Sequence, residues 1–138
     1  MATDAWKHRG IMGLRPATAT AGIVARRMLG MANIRLADAQ LAQLSLQGRF
    51  SSACDAGHAA AGAALCWHGY STEDRLTVLR CLPYTLGWSP ERWRLLDAAH
   101  HQSNQAHWEG CQEPDACELA ELIDLVRGMV ADVQALMR

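Results

Sequence analysis

Residues 49–68 read RFSSACDAGHAAAGAALCWH, and this stretch decides the fold. It is dense in small residues, at Ala53, Gly57, Ala60, Ala61, Gly62 and Ala64. Small side chains let neighbouring helices come close, because the distance between packed helices depends on the side chains at the contact. With Asp55 and His58 inside it, the stretch is too polar and too short for a membrane dimer motif. We therefore predict a helix from about Arg49 to His68 at the centre of a tightly packed bundle.

A second helical pattern precedes this central segment and runs from about Thr20 to Leu46. Spacings of three and four residues alternate along it, with one polar member, at Leu29, Ala32, Leu36, Ala39, Gln43 and Leu46. Such spacing places the residues on one stripe of a helix. Gly48 is expected to end this helix, and Ser51 or Ser52 to cap the next one.

A short helix is predicted after the central one. The sequence Ser71-Thr72-Glu73-Asp74 follows Gly69 and is typical of a helix N-terminus, where acidic side chains are favourable. We place this helix from about Thr72 to Cys81. It should end before Pro83, because the residue preceding a proline is pushed out of the helical region.

The next helix begins with an unambiguous local signal, Ser89 followed by Pro90. A serine is a preferred N-cap, and proline is favoured at the first helical position. The helix is predicted to run to about Glu109, where Gly110 ends it.

Pro114 opens the last helix, which is predicted to reach about Leu136. Its apolar stripe again alternates spacings of three and four, at Leu119, Leu122, Val126, Met129, Val133 and Leu136. Four long helices with short connections indicate an all-α fold, an antiparallel up-and-down four-helix bundle with one short extra helix. Residues 1–18 lack any period and are predicted to be a flexible N-terminal arm before a single domain of residues 19–138.

Composition narrows the classes of function. The chain of 138 residues has 13 Lys and Arg against 14 Asp and Glu, a net charge of −1, so it lacks the overall basic charge typical of nucleic-acid or anionic-membrane binding. The five cysteines include no Cys-x-x-Cys pair, so neither a disulfide framework nor a zinc ribbon is indicated. No apolar run is long enough to span a bilayer. We predict a cytoplasmic protein with no cofactor and no membrane association.

The segment that carries candidate chemistry is residues 97–110, DAAHHQSNQAHWEG, which holds three of the six histidines. Residues three and four apart share a helix face, so Leu95, Leu96, Ala99 and Ala106, with Ser103, form an apolar side. The polar side and the stripe beside it supply the predicted binding residues, which are Asp97, His101, Asn104, His107 and Trp108.

Three interpretations of this segment remain open. The first is a solvated or interfacial face whose histidines bond to neighbouring helices. The second is a metal site built from His100, His107 and Cys111; the seven-residue spacing is a long reach for one ion, and no His-Glu-x-x-His motif occurs, so we predict no metal ligands. The third is an acid/base or nucleotide site in which Asp97 orients His101 one turn away.

Four short motifs, in this order along the chain, resemble the HEPN superfamily of helical bundles. They are Gly48-Arg49-Phe50-Ser51-Ser52-Ala53, Asp55-Ala56-Gly57-His58-Ala59-Ala60-Ala61, Trp67-His68-Gly69-Tyr70 and Asn104-Gln105-Ala106-His107-Trp108-Glu109-Gly110. The last looks like the Arg-Asn-x-x-x-Tyr-x-Gly segment common in that superfamily, and the resemblance spans about Ile23 to Leu136. It implies a dimer in which a catalytic Arg, followed after four to six residues by His, faces its copy across a cleft.

This chain departs from that catalytic signature. Ser103 stands at the position of the Arg, and Trp108, Glu109 and Gly110 stand where the His would follow. The resemblance therefore implies a non-catalytic binding or accessory module, a homodimer whose ligand is RNA or a nucleotide. Its partner would be a protein such as the nucleotidyltransferase of a toxin–antitoxin pair.

Two alternatives stay open. Arg94 and His100 have the permitted separation, with five residues between them, and would serve a metal-independent ribonuclease as phosphate-neutralising cation and acid/base. His107 would be the other candidate for the acid/base in that enzyme. The second alternative is a structural helical bundle of unknown partner.

Overall fold

The computed structural model describes residues 13–17, 19–109 and 114–138, with residues 105–109 as helical backbone only. The chain is mostly helical, which confirms the all-α class. Its helices are α1 (Ala21–Asp38), α2 (Leu46–Trp67), α3 (Arg75–Arg80), α4 (Leu82–Thr85), α5 (Pro90–Glu109) and α6 (Ala116–Leu136). Two-residue strands, β1 (Arg15–Pro16) and β2 (Tyr70–Ser71), complete the described elements. None of the described helices combines the length and apolarity that crossing a bilayer requires.

Helix α2 is central, as its small residues predict, and it packs against α1, α5 and α6 as well as α3. Gly57 lies where α5 and α6 both approach, since a Cβ there would be 2.8 Å from Cδ1 of Leu96 and 3.3 Å from Cγ2 of Val126. At Gly62 a Cβ would collide with the end of the Met28 side chain of α1. Close approach of three long helices therefore depends on residues without a β-carbon.

The boundary between α1 and α2 differs from the prediction, because Gly48 does not end a helix. Helix α1 ends at Asp38, and the segment after it forms turns. Ser45 is the N-cap of α2; its backbone is extended and its Oγ accepts a hydrogen bond of 2.9 Å from the backbone N–H of Gly48. Gly48 thus lies in the first turn of α2, and the caps predicted at Ser51 and Ser52 are wrong.

Helix α3 begins later than predicted, at Arg75. Asp74 is its N-cap, and Oδ2 of Asp74 accepts a hydrogen bond of 3.0 Å from the backbone N–H of Thr77. A further short helix, α4, follows at once and was not predicted. It contains Pro83 in its first turn. Proline is tolerated there because the backbone N–H groups of the first turn have no hydrogen-bond partner within the helix.

The last two long helices begin close to the predicted positions and run antiparallel. Helix α5 begins at Pro90, and α6 begins at Ala116 with Asp115 as its N-cap. The stripe predicted for α6 is buried from Leu119 to Val133. The indole N–H of Trp88 donates a 2.8 Å hydrogen bond to Oδ2 of Asp132, which ties the start of α5 to the end of α6.

Nε2 of Gln102 on α5 donates a second hydrogen bond, of 2.6 Å, to Oε2 of Glu118 at the start of α6. Between these two hydrogen bonds α5 and α6 are separated by a cleft of about 630 Å³. Both helices pack on α2, but in the described residues they barely contact each other. Phe50 of α2 lies at the floor of the cleft, and Leu95 lines one wall while remaining 61% exposed. Leu95 was predicted to share the apolar side of α5 with Leu96; only Leu96 is buried in the core.

Part of the predicted N-terminal arm pairs with the chain that follows α2. Arg15 lies opposite Ser71 and Pro16 opposite Tyr70 in an antiparallel register. The backbone N–H of Ala17 adds a 2.8 Å hydrogen bond to the carbonyl of Gly69. Residues 15–17 are thereby attached to the end of the central helix.

Candidate functional site

Arg75 joins three helices at one point. It is the first residue of α3, and the Asp74 cap fixes the start of that helix. Nη1 of Arg75 lies 3.2 Å from Nε2 of His100 on α5, and Nη2 lies 3.7 Å from Oδ1 of Asp55 on α2. Together with His58 and Asn104, described below, these residues form what we name the Arg75 cluster.

The contacts of His100 determine its protonation state. Its Nε2 faces Nη1 of Arg75 and Nδ2 of Asn104, each at 3.2 Å. Both of these neighbours are donors, so Nε2 must accept and the proton of the neutral ring must sit on Nδ1. The pKa of His100 is lowered, first by burial and then by the positive charge of Arg75. Near neutral pH His100 is therefore an uncharged acceptor.

His58 lies on α2 and is electrostatically coupled to the same guanidinium. Its pKa is lowered from 6.5 to about 4, chiefly by burial and further by Arg75 and His100. Nδ1 of His58 is buried and has no hydrogen-bond partner within the described part of the chain. On the same helix, burial raises the pKa of the Cys54 thiol to about 12, so that thiol is not a nucleophile at neutral pH.

Three of the predicted binding residues lie on α5 in or beside the Arg75 cluster. Asn104 contacts His100, as given above, and the ring of His101 lies 6.0 Å from that of His100. Nε2 of His101 is 3.6 Å from Oδ1 of Asp97, which is the one-turn pair that the spacing predicts. His101 is largely exposed, with 69% of its side chain open to solvent, so this pair contributes little electrostatic stabilisation.

The other predicted binding residues, His107 and Trp108, have side chains outside the described residues, and Cys111 of the metal interpretation is likewise outside them. Within the described ranges no group of three or more His, Cys, Asp and Glu is arranged to hold a metal ion.

Arg94, the cation of the ribonuclease alternative, lies over Trp93, with its Cζ 5.5 Å from the ring centroid. Six residues along a helix correspond to a rotation that leaves Arg94 and His100 roughly 120° apart around the axis. The cation that contacts His100 is instead Arg75, from a different helix. Arg75 was not among the site residues predicted from the sequence. Two features of the sequence pointed to it: Arg75 directly follows an acidic N-cap, and the polar residues Asp55 and His58 interrupt an otherwise apolar helix.

Ser103, which stands where the HEPN signature has its Arg, faces α2. Its Oγ is 2.7 Å from Oγ of Ser51, and Gln47 lies 3.4 Å away. Ser103 is only 8% exposed. In this chain the position just before Asn104 therefore holds a buried polar contact between helices.

The Arg75 cluster has the chemistry of an anion site. A guanidinium offers a planar fork of donors that matches a phosphate, and that of Arg75 is 30% exposed. Its carboxylate neighbour Asp55 is 57% exposed and 3.7 Å away, an ion pair weak enough for a stronger anion to displace. His100 can take up a proton and then donate to the same anion.

No protein-family model matches this chain, and no curated protein or solved structure matches it either. The HEPN resemblance rests on the four motifs quoted above and stays a prediction.

Proposed function

We propose that this chain is an HEPN-like four-helix bundle that acts as a binding module and holds a phosphate of RNA or a nucleotide at Arg75 and His100. The observation that carries the proposal is the placement of the Arg75 guanidinium between Asp55 and His100, partly open to solvent. A net charge of −1 gives no general attraction for nucleic acid, so binding would depend on this local site.

Binding is favoured over catalysis by the protonation states. Cleavage by acid–base chemistry needs one group to take a proton and another to give one. The pKa values of His58 and His100 are both lowered, so near neutral pH both rings are in the neutral form and carry no extra proton to give. A proton taken up by His100 when phosphate arrives would strengthen binding without cleaving the ligand.

The test is binding of a fluorescently labelled single-stranded RNA oligonucleotide in excess EDTA, followed by anisotropy. We expect Arg75→Ala to weaken binding by at least about tenfold, the loss that corresponds to a charge-assisted contact of about 1.5 kcal/mol or more. Arg80→Ala is the matched control, because Arg80 is an exposed arginine at the other end of the same short helix. Equal effects of the two substitutions would contradict a specific site.

One observation supports the ribonuclease alternative. His100 lies beside a guanidinium, and it is in the neutral form at neutral pH. Arg75 would then take the role first given to Arg94, with His100 as the base. Cleavage of RNA in EDTA that disappears in His100→Ala and Arg75→Ala, but persists in Arg94→Ala, would establish this enzyme in place of the binding module.

The resemblance also leads us to propose a homodimer and a nucleotidyltransferase partner. Co-expression with a tagged candidate nucleotidyltransferase, followed by co-purification, tests the partner. The cytoplasm is the compartment we propose, because thiols such as Cys54 and Cys81 stay reduced there. A protein that binds neither RNA nor a partner would be the purely structural bundle.

A further inference from the structure

One side of α1 presents apolar side chains to solvent. Ile23 and Ile34 are 57% and 56% exposed, and Met31 and Val24 are exposed beside them. Positions 23, 27, 30 and 34 follow spacings of four, three and four, so they lie on one helix face. An exposed stripe of this kind on a helix of 18 residues is typical of a contact surface rather than of an ordinary solvated face.

Gly30 lies in the middle of this face, and the packing of the described residues does not require a glycine there. A Cβ at Gly30 would meet nothing within 4 Å, unlike one at Gly57 or Gly62. A glycine inside a helix makes the helix less stable than an alanine would. Because no contact with the described residues requires Gly30, its small size points to close approach by another surface.

The same face is basic. Arg27 is exposed between Ile23 and Ile34, and Arg35 follows on the adjoining edge. Arg35 is partly balanced by Asp38 at 3.6 Å, and the first turn of α1 contains no acidic residue. The face therefore combines apolar contact area with positive charge.

The cleft between α5 and α6 has the complementary chemistry. Its floor and walls are apolar, with Phe50 and Leu95 among them, and its volume is about 630 Å³. The lip formed by α6 carries Glu118, Glu121 and Asp124. Glu118 accepts a hydrogen bond from Gln102 across the cleft and Asp124 pairs with Arg127 at 3.2 Å, which leaves Glu121 as the carboxylate available to an incoming cation. An apolar groove with an acidic lip fits a helix that carries apolar and basic residues on one side.

We propose that α1 of one copy of this chain docks into the α5–α6 cleft of a second copy. The apolar side chains of α1 would fill the cleft, Gly30 would let the helix axis come close, and Arg27 would face the acidic lip. Two different surfaces meet in this contact, so an associated pair still has one free α1 face and one free cleft, and the parent chain can associate head-to-tail beyond the dimer.

The test is sedimentation velocity of the full chain over a range of concentrations, with two single variants. Ile34→Asp spoils the face of α1 and Leu95→Asp spoils the cleft, and both positions are exposed, so the fold should survive. We expect each variant to self-associate at least about tenfold more weakly than the parent chain, which corresponds to removal of an interface residue worth about 1.4 kcal/mol or more. Leu44→Asp is the control, an exposed apolar residue outside both surfaces that should change nothing.

Mixing the two variants gives the decisive result. The Ile34→Asp chain keeps its cleft and the Leu95→Asp chain keeps its α1 face, so the mixture should form a one-to-one dimer that neither variant forms alone. Three results would overturn the proposal: a parent chain that stays monomeric, a mixture that stays monomeric, or a Leu95→Asp variant that self-associates as well as the parent. The last would indicate that two α1 faces meet each other.

Discussion

Nη1 of Arg75 lies 3.2 Å from Nε2 of His100, although 25 residues separate them in the chain. The contact fixes the tautomer of His100 and brings a positive charge close to two histidines, one on α2 and one on α5. The site is thus assembled by packing of α3 against both of those helices, and its electrostatics follow from that packing.

The half-buried histidine of α2, His58, makes stability depend on pH. The pKa of His58 is lowered from 6.5 to about 4 in the folded chain. Between these two pH values His58 therefore binds a proton in the unfolded chain but not in the folded chain. Stability from this group is complete above pH 6.5 and is lost progressively as the pH falls from 6.5 towards 4. The lowered pKa of His100 acts in the same direction.

We therefore expect the chain to unfold at a lower urea concentration at about pH 5 than at about pH 7.5. His58→Gln, which cannot titrate, should show a clearly smaller difference between these two conditions. His101→Gln is the comparison, because His101 is exposed, and it should alter the difference less than His58→Gln does. If His58→Gln kept the full pH dependence, another group would be responsible.

Thiol reactivity reports on the packing of α2 and its neighbours. Cys54, Cys66 and Cys81 are buried and burial raises the pKa of each, whereas Cys117 is exposed. In a Cys111→Ser background, an aromatic disulfide reagent should modify one thiol quickly, and Cys117→Ser should abolish that fast phase. The remaining three thiols should react only at the rate of unfolding. Rapid modification of a second thiol would show that the core is looser than described.

Two glycines offer a matched test of close helix packing. Gly57→Ala places a Cβ 2.8 Å from Leu96, which is buried and constrained, so overpacking of about 1–3 kcal/mol should outweigh the gain in helix propensity. Gly30→Ala meets no atom within 4 Å and should stabilise the monomer by about 0.5–1 kcal/mol. Urea unfolding at low protein concentration measures both. Stabilisation of equal size in the two variants would contradict the packing of α2 against α5.

The features that the sequence predicts correctly are those set by near neighbours. Ser89 and Pro90 place the start of α5, and the spacing from Leu119 to Val133 identifies the buried side of α6. The prediction at Gly48 is wrong because a glycine near a helix boundary can lie after the end of one helix or in the first turn of the next. The hydrogen bond from the N–H of Gly48 to Oγ of Ser45 places it in the first turn of α2.

The candidate site is predicted only in part, for a related reason. The spacing of Asp97 and His101, and the position of Asn104, follow from one helix and could be predicted. Arg75 reaches His100 from another helix, and no periodicity within α5 contains that contact. The cleft beside Leu95 depends on the distance between two helices, α5 and α6. The apolar stripe on one helix does not predict that distance.

The most direct measurement of phosphate binding at this site is an NMR titration of the His100 imidazole, assigned with His100→Gln. It is performed with and without a saturating single-stranded RNA oligonucleotide in EDTA. We predict that the pKa of His100 is below 6.5 in the free protein and rises when RNA is bound, because a nearby phosphate favours the charged ring. RNA that binds while the pKa of His100 stays unchanged, or RNA that fails to bind, would contradict a phosphate site at Arg75 and His100.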